Sequence, residues 1–125
     1  MIHLPITSIT ASILALFYIF LTLRVIVYRR KTQIGVGSAG DIVLTRRIRA
    51  HSNFIEYTPF VLFLLFLSEI QNGHFYFLMC VAVFFTLGRS LHAYGVSQVK
   101  ENLRFRIAGM MMTFFSLILL SFNLL

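Results

Sequence analysis

The sequence predicts an all-α integral membrane protein, a bundle of four transmembrane helices, and three observations carry that expectation. Of 125 residues 58% are hydrophobic and only 12% charged, against roughly 45–50% and 25% in soluble domains. Four spans of roughly 20 residues would use about 80 and leave about 45 for loops and ends, so a fifth is nearly excluded. The charges fall between the apolar runs rather than inside them. A disordered chain, a disulfide scaffold (there is one Cys) and a soluble enzyme domain are excluded by these figures.

The first uncharged run covers residues 4–23 and ends at Arg24. No small-residue cleavage site precedes the next charges, so it is expected to be a retained span, about 4–28, and not a signal peptide. The second apolar stretch, 57–68, is too short to cross alone. It reaches spanning length only if its helix begins near Asp41, which with Gly40 supplies a start and an N-cap. The expected span is about 42–71, and it carries its polar residues into the membrane. Asn72-Gly73 signals a tight turn, and spans at about 74–96 and 102–124 follow. The chain 1–125 then forms a single membrane domain.

Orientation follows from Lys and Arg. The first loop and its flanks hold Arg24, Arg29, Arg30, Lys31, Arg46, Arg47 and Arg49, and the third loop region holds Arg89, Lys100, Arg104 and Arg106. Those account for all eleven, and neither the second loop nor either terminus has any. Both basic loops are expected to be cytoplasmic, with both termini outside. The net charge of +7 is therefore a membrane-surface bias and not a nucleic-acid footprint, which would need a solvated basic face. Cys80, deep in an apolar run, is expected in the core or facing lipid.

An ionisable group inside a span costs roughly 2.5–3.5 kcal/mol on insertion scales, so each one asks for a partner or a purpose. Arg49, Asn53 and Glu56 fall on one helical face, with Ser52 and Arg46 beside it and His51 pointing away. Arg89 and His92 share a face of the third helix. Asn102 and Arg106 share one on the fourth, extended by Thr113, while Arg104 points elsewhere. All lie at the basic ends of their helices. Either Glu56 pairs with Arg49 or Arg106 to hold the bundle, or surplus Arg around one Glu forms a pocket for an anionic ligand with a carboxylate. There is no Cys/His pattern for a metal and no phosphate-binding glycine loop; Gly35, Gly37 and Gly40 are linker glycines.

Arg49-Ala50-His51-Ser52-Asn53-Phe54-Ile55-Glu56-Tyr57-Thr58-Pro59 resembles the R-A-x-x-N-x-x-E-x-x-P signature of the MAPEG family, membrane-associated proteins of eicosanoid and glutathione metabolism. Gly88-Arg89-Ser90-Leu91-His92-Ala93-Tyr94-Gly95 is similar to the family's third helix, and Arg106-Ile107-Ala108-Gly109 to the start of its fourth. The resemblance covers essentially the whole chain and is closest to short bacterial members, which implies the inner membrane. It implies a homotrimer with glutathione bound between subunits at the cytoplasmic side. Glu56 would take the ligand's ammonium, and Arg49 and Asn53 its polar backbone or a carboxylate. Arg29 would meet a carboxylate, His92 would contact the peptide, Arg89 is counted with them among the ligand-binding residues, and Arg106 would lower the thiol pKa and hold the thiolate. Val96 and Met110 stand where eicosanoid-type members commonly have Tyr, and Ser52 where the prostaglandin synthase has Arg.

Three functions fit. The first is a glutathione-dependent transferase or peroxidase acting on lipophilic electrophiles or lipid hydroperoxides. The second is a non-catalytic family member that binds lipid. The third is a small exporter exchanging protons for cationic drugs at Glu56, which surplus Arg at the same end disfavours by repelling a cation.

Overall fold

The computed structural model describes residues 4–100 and 102–125. Four helices, α1 (Pro5–Thr32), α2 (Ile42–Ile70), α3 (Phe75–Ser97) and α4 (Leu103–Leu124), follow one another through short connections. All are long and apolar enough to cross a membrane. α1 continues beyond the expected span, carrying Arg29, Arg30 and Lys31 in its last turn, where cations favour the negative end of the helix. α2 packs against each of the other three helices, whereas among the described residues α1 and α4 do not meet. The core runs along the bundle through Leu14, Leu21, Phe54, Leu65, Phe85 and Leu120.

Asp41 caps α2 as expected, its carboxylate accepting from the Leu44 N–H at 2.8 Å. The turn at Asn72-Gly73 is also present: Asn72 adopts φ 59° and the Gly73 N–H donates to the Ser68 carbonyl at 2.9 Å. Several hydroxyls within the helices are satisfied locally, while those of Thr7, Thr58 and Ser68 are buried without a partner among the described residues. Thr10, Thr86, Ser90, Ser97 and Thr113 each donate to the carbonyl four residues earlier, the arrangement a low-dielectric surrounding demands.

Two devices were not foreseen from the sequence. The N-cap residue of α1, Leu4, makes no side-chain cap bond, and Glu69 at the far end of α2 supplies one instead. Its two carboxylate oxygens accept from the Ile6 and Thr7 N–H groups at 2.9 and 2.7 Å, placing a negative charge at the positive end of α1. Glu69→Ala is expected to cost about 1–2 kcal/mol, read as faster hydrogen exchange at the Ile6 and Thr7 amides while the Leu44 amide is unchanged. The second device is the approach of α3 to α4. A Cβ at Gly109 would lie 2.5 Å from the Gly88 carbonyl oxygen and 2.6 Å from the His92 nitrogen, and one at Gly95 would lie 2.8 Å from the Arg106 nitrogen. Side chains are absent at these points because two helix backbones nearly touch there. Cys80 is exposed on α3, in keeping with a lipid-facing position.

Candidate functional site

A groove of about 550 Å³ opens at the basic end of the bundle, walled by α2, α3 and α4. Its floor is the helical face anticipated from spacing: Arg49, Asn53 and Glu56, with Arg46 and Ser52 at the side. His92 and Val96 enter from α3 and Arg106 from α4. His51 points away, as periodicity requires, stacking on Tyr18 at 5.2 Å and bonding the Thr22 hydroxyl at 3.0 Å. Arg104 is not on the groove; its backbone N–H is bound by Asn102.

The placement of Arg106 beside His92 is a consequence of backbone packing. Gly109 lies one turn beyond Arg106 and rests on the α3 backbone at Gly88 and His92, while Gly95 lies against the Arg106 backbone itself. Larger residues at either glycine would push α4 outward and carry Arg106 with it.

Arg89 is fully buried and does not line the groove. It was expected to contact the ligand, but its guanidinium lies behind the Arg49–Glu56 face and joins three helices. Nη2 donates to Asn53 Oδ1 at 2.7 Å, and Nη1 to Thr113 Oγ1 at 3.3 Å and to Met110 Sδ at 3.9 Å. The Phe54 and Tyr57 rings lie 5.9 and 5.5 Å from its central carbon. Because the cation occupies Asn53 Oδ1, the amide nitrogen of Asn53 is the end left for the groove. Asn53 is therefore set as a hydrogen-bond donor, suited to a carboxylate or peptide carbonyl. Glu56 lies within electrostatic reach of Arg89. His92 is buried, with Nδ1 unbonded among the described residues.

Arg29 is not brought to the groove. Its Nη1 binds the first loop, donating to the carbonyls of Ile34, Gly35 and Gly37 at 3.2, 3.4 and 2.8 Å. The carbonyls of a loop crowded with Gly37 and Gly40 at positive φ turn inward and hold it. Spacing along α1 identifies Arg29 as a cation at the right end of the molecule but says nothing of a loop folding back over it.

The groove thus combines cations from two helices (Arg46 and Arg49 on α2, Arg106 on α4), one carboxylate (Glu56) and an oriented amide (Asn53). That set suits a zwitterionic ligand with surplus negative charge. Val96 makes the α3 wall apolar one turn beyond His92, where a hydroxyl-bearing side chain would add a donor. Among the described residues no group of His, Cys, Asp and Glu could hold a metal ion.

No curated protein matches the chain. The model of the MAPEG family matches residues 7–125, which include the α2 signature, the glycine-bearing segments of α3 and α4, and every residue that lines the groove. The chain belongs to the MAPEG family.

Proposed function

We propose that the groove binds glutathione and that the protein is a glutathione-dependent membrane transferase or peroxidase acting on lipophilic electrophiles or lipid hydroperoxides. The observation that carries this reading is the convergence of Arg49, Asn53, Glu56, His92 and Arg106 on one groove. Glutathione brings two carboxylates, an ammonium and a thiol, which the arginines, the carboxylate and the amide donor of the groove complement. The volume falls within the roughly 300–1,000 Å³ usual for small-molecule sites.

In this reading Glu56 accepts hydrogen bonds from the ammonium, while Arg49 and the Asn53 amide hold a carboxylate or the peptide. Arg106 places its positive charge where the thiol sits and stabilises the thiolate, the nucleophile that glutathione supplies. Charged residues on a membrane helix are costly when turned to lipid. Arg49, Glu56 and Arg106 are exposed on the single protomer, which supports a ligand site covered by neighbouring subunits of a homotrimer. Eleven Lys and Arg gathered at one end support a cytoplasmic groove, both termini outside, in a bacterial inner membrane. A lipophilic second substrate would enter from the bilayer.

The wild type is expected to show thiolate absorbance when glutathione is added, and Arg106→Ala to lose most of it while Arg104→Ala keeps it. Equal absorbance in wild type and Arg106→Ala removes the catalytic role. The apolar wall at Val96 favours a second reading, a non-catalytic member that holds lipid. Protein purified with bound lipid and without glutathione affinity would decide for it.

A further inference from the structure

Arg24 on α1 and Arg47 on α2 are half-buried side by side, near the C-terminus of α3, and neither lines the groove. Each makes a single hydrogen bond among the described residues. Arg24 Nη1 donates to Ser97 Oγ at 3.0 Å, and Arg47 Nη1 to the Arg24 carbonyl at 2.9 Å. Arg47 Nε is buried without a partner. Their like charges repel. The acid nearby, Asp41, is already engaged, accepting from the Leu44 N–H and from the Tyr28 hydroxyl. Arg47 lies over the Tyr28 ring at 4.5 Å. Two guanidinium groups are thus held together with most of their donors unused, an arrangement that calls for an anion.

Depth and surroundings identify the anion. At 1.5 Å per residue, Arg24 lies roughly 28 Å along α1 from Pro5, about the thickness of a hydrocarbon core, so it sits at the headgroup level. Leu16, Phe20, Leu23 and Val27 are exposed on the same stripe of α1, and Arg24 lies 5.7 Å from the Phe20 ring. A lipid lying there would set acyl chains on this stripe and its charged group on the arginines. Ser97 donates its own proton to the Ala93 carbonyl and so accepts from Arg24, fixing the guanidinium instead of touching the anion.

We propose that Arg24 and Arg47 form a binding site for the phosphodiester of an anionic phospholipid, separate from the groove, with Ser97 positioning Arg24. The site ties lipid to the junction of α1, α2 and α3. The shared chemistry is a phosphate oxyanion, which a free phosphate also offers.

Native mass spectrometry of the detergent-solubilised protein, titrated with phosphatidylglycerol or phosphatidylcholine, tests this. Phosphatidylglycerol is expected to be retained in preference. At about fivefold per basic residue, Arg24→Gln with Arg47→Gln should weaken it roughly 25-fold. Arg30→Gln with Lys31→Gln, an equal change of charge on the exposed last turn of α1, should weaken it much less, since neither side chain belongs to the paired site. If the double variant does not fold by circular dichroism, the single variants are expected to lose about fivefold each. The proposal is overturned if the two double variants weaken binding equally, if phosphatidylcholine binds as well, or if millimolar inorganic phosphate displaces the lipid. It is also overturned if the wild type retains no lipid and the Arg24→Gln, Arg47→Gln variant instead loses its oligomeric state.

Discussion

Gly109→Val is expected to separate α3 from α4 and to destabilise the protein by at least about 3 kcal/mol, the upper range for overpacking. The first added carbon already lies within 2.7 Å of three atoms of α3, two of them backbone. Backbone atoms cannot rotate aside as a flexible side chain would, so the helices must move apart. At roughly 3–5 °C per kcal/mol for a chain of this size, the melting midpoint in detergent should fall by about 10 °C or more. Gly35→Ala is the contrast. Nothing lies within 4 Å of its added carbon, and its effect should stay within about 1 kcal/mol. Gly109→Ala should fall between the two. Because Gly109 seats α4 beside His92, the glycine variants should lose ligand affinity with stability, although the residue touches no ligand.

Arg89→Ala is the second large effect, and it acts on stability and on the groove by different routes. Removing the guanidinium leaves Asn53 Oδ1 without its donor, takes from the buried Thr113 hydroxyl one of its two hydrogen bonds, and opens a cavity between three helices. A loss of about 3 kcal/mol is expected. Arg89→Lys should not restore it, since an ammonium on a straight stem cannot reach acceptors on α2 and α4 at once. The effect on glutathione runs through Asn53, whose amide is then free to turn. Arg89→Ala and Asn53→Ala should each weaken binding about tenfold, the worth of one charge-assisted hydrogen bond. The double variant should be little worse than either alone. Additive losses would mean that Arg89 contacts the ligand itself.

The four helices were legible because a membrane allows few alternatives: apolar runs of sufficient length must be helical and must cross. The long α2 was legible for a related reason, since Asp41 could cap only a helix that accepted Arg49 and Glu56 within it. Periodicity placed Arg49, Asn53 and Glu56 on one face and turned His51 away, because both statements concern a single helix. What stayed hidden depends on pairs of helices. Arg89 shares a face with His92, yet depth across the bundle puts one on the groove and the other behind it. Glu69 showed no sign of its capping role, because its partner, the bare start of α1, lies more than sixty residues away. The glycines of α3 and α4 carried a faint signal: Gly88 and Gly95 are seven apart, two turns on one face, and small residues so spaced on a membrane helix mark a close contact. Arg29 illustrates the limit, since only the folded loop shows which carbonyls surround it.

The central claim is that the groove is built for glutathione, and binding itself tests it most directly. Isothermal titration calorimetry of the detergent-solubilised protein with glutathione is expected to give saturable binding. Glu56→Ala should weaken it about 30-fold or more, a charged hydrogen bond with the ammonium being worth roughly 2–3 kcal/mol. Glu69→Ala, a carboxylate at the opposite end of α2, should bind as the wild type does. Absence of binding by the wild type, or equal binding by wild type and Glu56→Ala, would contradict the account.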